Sequence, residues 1–232
     1  MMYLALPLTV ITFLCLRALH LRVNSPFLNP VLWTILISAC VLVTFNLDVQ
    51  HYTQSTFAFN YLLELAVVAL AIPLYKQIHQ LKRQLMLLCI AVSAGIVCAT
   101  TTALVIATLL GAPEQLTASL ATLAVTTPIT LLVTEQLGGI ASIAASMVIL
   151  IGVVGAVLGF SFLRAVRITN KAAQGTALGG ACHAIGTATA IADNELSAAY
   201  ASTAMALSAL LTPIITPLYF SWLMSIVERV VA

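Results

Sequence analysis

The charged residues of this sequence fall into a few short groups that are separated by long apolar stretches. Apart from Arg229, the lysines and arginines lie within 17–22, 76–83 and 164–171. Only 7% of the 232 residues are charged and 62% are hydrophobic, whereas soluble domains carry about 25% charged residues. Apolar runs of about 20 residues are long enough to cross a bilayer. The pattern predicts an all-α integral membrane protein in a lipid bilayer and excludes a water-soluble fold.

Glycines, prolines and charges divide the chain into about six full spans and two shorter, interrupted segments. We expect the spans at about residues 3–19, 30–45, 61–75, 85–110, 140–163 and 198–226. The interrupted segments are 116–134 and 175–190. We interpret residues 1–232 as a single polytopic transmembrane domain. Its scaffold spans are 1–84, and 85–139 and 140–232 are the halves of an inverted repeat.

The basic groups predict the direction in which each span crosses the membrane. Because Lys and Arg favour cytoplasmic loops, all three groups should be cytoplasmic. The 85–110 span then ends outside, and the 140–163 span must begin outside to deliver Arg164 to the cytoplasm. Residues 116–134 therefore enter the membrane and return. Residues 175–190 follow a cytoplasmic group in the same way with opposite topology, which is typical of transporters built from inverted repeats with discontinuous helices.

Thr126, Thr127 and Pro128 interrupt the first of these two segments. Thr127 suits a helix N-cap, and Pro128 suits the first helical position. A helix that begins there directs unpaired N–H groups and a positive dipole end into the membrane, an arrangement that favours an anion. The alternative is a plain kink, in which the threonine hydroxyls bond to the helix backbone.

The second segment, from Gly175 to Ala190, reads GTALGGACHAIGTATA and carries no charge. Gly175, Gly179, His183 and Thr187 are spaced by four, so a continuous helix would align them on one face. His183 is predicted to bind a carboxylate as imidazolium or to accept a coupling proton. The alternatives are a histidine bonded to a neighbouring helix, and glycines that serve only close helix packing.

Other polar residues give weaker signals. Glu64 and Glu135 are candidate proton-coupling groups, but both lie near predicted interfaces where a carboxylate reaches water. Thr212–Pro213 and Thr216–Pro217 predict kinks in the last span or groups that line a pathway. The five cysteines lack metal or disulfide spacing, no catalytic motif occurs, and a net charge of +2 does not favour nucleic acid. We expect a protein that is not an enzyme and has no cofactor, no metal ion and no nucleic-acid partner.

A series of short motifs runs in order along nearly the whole chain. They are AVVALA at 66–71 with PLY at 73–75, VTTPI at 125–129, EQ at 135–136 with GG at 138–139, Gly152 with GAVLG at 155–159, KAA at 171–173, and HA with GTA within 183–188. Together they resemble the LrgB/CidB family of bacterial inner-membrane proteins. The sequence departs from the family pattern at Leu65, Leu123 and Cys182, where the family often has proline, lysine and serine.

The resemblance implies two functions. Family members are usually paired with a smaller LrgA/CidA-type membrane protein and were first described as antiholin-like, modulating murein hydrolase export and lysis. The family also extends to a plant plastid carrier of glycolate and glycerate and to bacterial pairs linked with pyruvate uptake. We therefore expect a secondary carrier of a small organic anion, a monocarboxylate such as glycolate, glycerate or pyruvate. The alternative is an antiholin-like regulator that acts through a holin-like partner.

The carrier hypothesis assigns roles to particular residues of both interrupted segments. The predicted substrate-binding residues are Thr126, Thr127, Pro128, His183, Gly186 and Thr187. The first three would hold the carboxylate, and His183 and Thr187 would face it from the opposite repeat. His183 and Glu135 are the candidates for proton coupling. The sequence leaves open whether the chain also forms a homo-oligomer.

Overall fold

The computed structural model describes residues 5–23, 28, 30–69, 75 and 82–231. Its contacts divide the chain into two compact units, Met1–Ile72 and Pro73–Ala232. Within the described residues all regular secondary structure is helical and no strand is found, which confirms the predicted all-α class. The two units are described separately below.

The described residues of the first unit form four helices. They are α1 (Ala5–Val23), α2 (Pro30–Thr44), α3 (Val49–Ser55) and α4 (Ala58–Ala69). Helix α3 lies in the linker between the second and third predicted spans, where no helix was expected. Its first turn forms because the Asp48 carboxylate accepts a hydrogen bond of 2.8 Å from the Gln50 N–H. The third predicted span is described only as far as Ala69, and its remainder lies outside the described residues.

The second unit holds both interrupted segments. Its helices are α5 (Leu85–Leu109), α6 (Glu114–Leu120), α7 (Thr127–Gln136), α8 (Ala141–Ala165), α9 (Lys171–Asp193) and α10 (Glu195–Val231). Four helices of the described chain are long and apolar enough to cross a membrane: α1, α5, α8 and residues Glu195–Val227 of α10. This supports a membrane protein, whereas the other two predicted spans, which correspond to the shorter helices α2 and α4, stay predictions.

Three helices of this unit end in the same left-handed turn. It follows α5 at Gly111 (φ 70°), α7 at Gly138 (φ 74°) and α8 at Arg167 (φ 62°). After α5, the Ala112 N–H donates to the Ala107 carbonyl at 2.9 Å, so an orphan carbonyl of the last turn gains a partner. Glycine adopts a positive φ without a steric penalty, and it therefore places two of these three helix ends.

The core of the second unit forms where one stripe of α5 meets α10. Every fourth residue of α5 is buried over most of its length: Leu88, Val92, Ile96, Thr100 and Leu104. Val92 and Ile96 pack on Ala204 of α10. Most other residues of α5 are exposed or half-buried, as expected for a helix that packs one stripe on the protein and turns other surface to lipid.

Candidate functional site

Residues 114–140 double back on themselves. The Ile140 N–H donates to the Ser119 hydroxyl at 2.6 Å, so the last residue of the segment meets the C-terminal end of α6. Further in, the hydroxyls of Thr122 and Thr134 are 2.9 Å apart. Residues 119–126, which follow from the end of α6, thus run antiparallel to α7. We call the whole segment 114–140 hairpin 1, with residues 114–126 as its first arm and α7 as its second arm.

The tip of hairpin 1 is the threonine–proline sequence that interrupted the predicted segment. Helix α7 begins at Thr127 with Thr126 as N-cap and Pro128 in its first turn. The predicted helix start is therefore confirmed, with the cap one residue earlier than expected. The Thr126 side chain makes no capping hydrogen bond. Its oxygen is buried and, among the described residues, has no hydrogen-bond partner. The first N–H groups of a helix lack intrahelical partners, so unpaired donors gather at this tip.

Helix α9 also reverses, and it does so at His183. In a straight helix Lys171 and Asp193 would lie about 33 Å apart. Here the Lys171 ammonium and the Asp193 carboxylate form an ion pair of 2.6 Å. Likewise, a Cβ placed on Gly186 would lie 2.6 Å from the Leu178 carbonyl oxygen. We call residues 171–193 hairpin 2, with His183 at its tip. The expectation that one continuous helix aligns Gly175 with Thr187 is wrong, because the chain turns between them.

The backbone of His183 makes this turn with φ 42° and ψ −134°. Its Nε2 lies 2.9 Å from the Val148 carbonyl oxygen. Because a carbonyl only accepts, Nε2 carries the proton and donates. The ring also lies against Gly152, where an added Cβ would come within 2.6 Å of Cε1. Val148 and Gly152 are near the middle of the 25-residue helix α8. The tip of hairpin 2 therefore reaches about half the length of a helix that can span a membrane.

Gly155 of α8 and Gly179 of hairpin 2 serve close helix packing. A Cβ on Gly155 would lie 2.0 Å from the Cys182 sulfur, and one on Gly179 would lie 2.0 Å from the Ala201 carbonyl oxygen. Glycine is the residue that lets these backbones approach. The packing interpretation therefore accounts for both, and Gly179 contacts α10 rather than the threonine–proline break.

The remaining predicted site residues are spread over the two hairpins. Thr187 is buried and donates to the Met205 sulfur of α10 at 3.6 Å, and Gly186 packs inside hairpin 2. Thr127 and Pro128 are half-buried at the tip of hairpin 1, whereas Glu135 is exposed near its open end. Glu64 lies in α4 of the other unit, and its side chain is outside the described set.

A cavity of about 810 Å³ runs past both tips. At one end its walls include Leu123 and Ala124 of hairpin 1 and Ala181 of hairpin 2. At the other end they include Gln84 and Asn170, which adjoin the basic groups at 76–83 and 164–171. The predicted substrate-binding residues, all of which are described, do not line it. Along the chain they are two or more residues from the nearest lining residues, Ala124 and Ala181.

Sequence reasoning missed this cavity because its walls consist mostly of small apolar side chains. In the first arm of hairpin 2 the lining residues include Ala173, Ala177 and Ala181. These alanines are spaced by four, next to the predicted glycine stripe, and this spacing was the sequence signal that could have indicated the cavity wall. At the mouth, the Tyr200 hydroxyl of α10 donates to Gln84, which precedes α5, so the starts of both long helices are joined there.

Long apolar helices with two helical hairpins between them define a polytopic helical membrane protein. Residues 9–222 match the model of the LrgB-like family, and the chain belongs to this family. It is 35% identical to the uncharacterized protein YxaC of Bacillus subtilis over 94% of this chain and 95% of that one. It is 33% identical to the antiholin-like protein LrgB of Bacillus mycoides over 77% of each chain. No solved structure matches.

Proposed function

We propose that this protein is a secondary carrier of a small monocarboxylate in the bacterial inner membrane. The observation that carries the proposal is the pair of hairpins. Hairpin 1 precedes Ala141 and hairpin 2 follows Ala165, so they open at opposite ends of α8. Both tips approach one cavity. Two re-entrant, discontinuous segments of opposite orientation are the architecture in which inverted-repeat transporters bind substrate near the midplane.

The substrate carboxylate binds at the tip of hairpin 1 in this proposal. Thr126 places a buried hydroxyl beside the N-terminus of α7, where Thr127 and Pro128 form the first turn. The backbone N–H groups and the helix dipole attract an anion there without a cationic side chain, which is consistent with Leu123 in place of the family's lysine. A buried hydroxyl without a partner costs about 1–3 kcal/mol, and donation to a carboxylate removes that cost.

Hairpin 2 supplies the facing groups. The Thr187 hydroxyl donates to a thioether sulfur, which is a weak acceptor, so exchange for a carboxylate oxygen is favourable. His183 would leave the Val148 carbonyl to bind the substrate or to accept a coupling proton. Gly186 keeps the second arm close to the first, and Glu135, exposed on hairpin 1, is the other candidate proton site.

The cavity would be the vestibule of an inward-facing state. Its far end adjoins two basic groups, which mark the cytoplasmic side by the positive-inside rule. Because Tyr200 joins Gln84 at this mouth, the contact would break or re-form as the starts of α5 and α10 move. Alternating access then closes this mouth and opens the other side around the two tips.

Reconstitution into liposomes with labelled glycolate, glycerate, lactate and pyruvate tests the proposal. Thr126→Val keeps the side-chain shape but removes the hydroxyl, so uptake should fall by about 10- to 100-fold, as expected for a lost hydrogen bond to a charged group. Thr203→Val is the matched control, because Thr203 is also buried but bonds its own helix at Ala199, and uptake by this variant should change little. If no substrate moves with the chain alone or with an LrgA/CidA-type partner, the carrier proposal fails.

The name of one relative favours a second candidate, an antiholin-like regulator. In this case the chain acts by binding an LrgA/CidA-type or holin-like membrane partner and so controls murein hydrolase export. Lysis phenotypes should then follow partner binding and survive Thr126→Val. Loss of the lysis effect in that variant, with the complex intact, would contradict the regulator proposal. Light scattering of the purified protein would show whether it also forms a homo-oligomer.

A further inference from the structure

One stripe of α10 follows hairpin 1 along its length. The Ser208 hydroxyl donates to the Ala124 carbonyl at the tip at 2.7 Å. Three helical turns later, Phe220 packs with Ala118 of the first arm. Residues of α10 between these two contacts, on the same helical face, therefore lie against the hairpin between its tip and its open end.

Thr212 and Thr216 occupy that interval: Thr212 lies four residues after Ser208, and Thr216 lies four residues before Phe220. Their exposed fractions are 2% and 0%. A buried threonine in a helix commonly donates to the carbonyl four residues back, as Thr203 does to Ala199 at 2.9 Å. Among the described residues, however, the hydroxyls of Thr212 and Thr216 have no hydrogen-bond partner. Each unpaired buried hydroxyl is costly, so a group that binds both is favoured here.

A proline follows each of these threonines within the helix. Proline has no N–H, so Pro213 and Pro217 leave the carbonyls of Ala209 and Pro213 without their usual helical donors. Thr212 lies three residues after Ala209, and Thr216 lies three residues after Pro213. Residues three apart are neighbours on a helix surface. Each threonine therefore lies on the same side of the helix as a released carbonyl, and two such pairs repeat one turn apart.

We propose that these four oxygens bind a sodium ion. Hard cations take hydroxyl and carbonyl oxygens as ligands, and unwound helix carbonyls coordinate sodium in inverted-repeat transporters. All four oxygens are neutral, which suits a single positive charge better than a divalent ion. A substrate carboxylate does not fit, because the released carbonyls only accept hydrogen bonds and repel an anion.

The role of this ion rests on the proposed carrier function. Ser208 fixes α10 to the tip of hairpin 1, so the sodium site lies beside the proposed carboxylate site at Thr126. Opposite charges at such sites attract each other, most strongly where water is excluded. Sodium bound at Thr212 and Thr216 therefore increases the affinity for the carboxylate, and by reciprocity the carboxylate increases the affinity for sodium.

Binding of radioactive sodium to the purified full-length protein, with choline as the replacement cation and no carboxylate present, tests the site. We expect saturable binding that unlabelled sodium displaces and potassium displaces less well. The double variant Thr212→Val/Thr216→Val should bind sodium at least about tenfold more weakly, whereas Thr203→Val should bind normally. In sodium-free buffer the double variant should unfold at the same temperature as the parent or higher, since valine fills the space without an unpaired hydroxyl.

The outcomes separate the site from the carrier function. No saturable sodium binding by the parent protein would overturn the site and leave water as the occupant. Sodium binding that the double variant keeps would also overturn it. Substrate uptake that proceeds equally in sodium and in choline would remove the coupling role while the carrier proposal stands. Sodium binding without uptake of any carboxylate would support the site and count against the carrier.

Discussion

Two adjacent glycines of hairpin 2 should respond in opposite directions to the same substitution. A Cβ on Gly179 would lie 2.0 Å from the carbonyl oxygen of Ala201 and 2.6 Å from its carbonyl carbon. A Cβ on Gly180 would meet nothing nearer than a Val92 methyl at 4.0 Å, an ordinary van der Waals contact. Gly179→Ala thus forces two backbones apart, and Gly180→Ala fills open space.

The magnitudes follow from two opposing effects. Alanine in place of a helix-interior glycine stabilises by about 0.5–1 kcal/mol, and both variants gain this. Overpacking costs about 1–3 kcal/mol, and only Gly179→Ala incurs it, because the opposing atoms are backbone and cannot rotate away. We expect Gly180→Ala to be slightly more stable than the parent, and Gly179→Ala to be less stable by about 1–2 kcal/mol.

Thermal unfolding in detergent, followed by size-exclusion chromatography of a fluorescent fusion, measures the difference. For a chain of this size each kcal/mol corresponds to about 2–4 °C in Tm, so the two variants should differ by several degrees. Circular dichroism at low temperature checks that both remain helical. Equal shifts of the same sign in the two variants would show that Gly179 does not abut Ala201, and the packing of hairpin 2 on α10 would be refuted.

Two further predictions concern the turn in hairpin 2. In a background without the native cysteines, Lys171→Cys/Asp193→Cys should be joined within one chain by a short bifunctional thiol reagent. Ser142→Cys/Arg164→Cys, with the same separation along the continuous helix α8, should not be joined, and mass spectrometry of the linked peptides distinguishes the two cases. Since φ is positive at His183, His183→Gly should be more stable than His183→Ala by about 1 kcal/mol, the reverse of a helix interior. Denaturation of both variants measures this, and a more stable alanine variant would contradict the observed turn.

Hairpin 1 could be predicted because two independent signals in the sequence agree on it. The charge groups around α5 and α8 require the chain between them to return, and the threonine–proline sequence places a helix start within it. The cap at Thr126 rather than Thr127 is a difference of one residue, within the usual variation of helix ends. The hydrogen bond between the Thr122 and Thr134 hydroxyls could not be predicted from residue spacing, because these side chains meet only when the arms are antiparallel.

The return of hairpin 2 was predicted only by analogy with the first interrupted segment, and the position of its turn was not predicted. Residue 183 is neither glycine nor proline, and the surrounding sequence favours a helix that continues. The turn depends on contacts from distant parts of the chain, because the His183 ring reaches the Val148 carbonyl and lies on Gly152. Local propensity cannot anticipate such contacts. The glycine stripe was recognised, but its continuation through His183 to Thr187 was wrong for this reason.

The two hairpins therefore reverse by different physical means, and this difference bears on alternating access. Hairpin 1 is held by bonds within itself, where Thr130 donates to the Thr122 carbonyl at 3.0 Å and Ser119 accepts from Ile140. Hairpin 2 is held at its tip by α8, through the His183 ring on Val148 and Gly152 and through Cys182, which packs on Gly155. In the proposed carrier, a substrate or proton that competes for this ring would act on the strained turn directly, whereas hairpin 1 would keep its shape. Hairpin 1 would then hold a fixed anion site and hairpin 2 would be the element that responds to it, so the response would depend on His183.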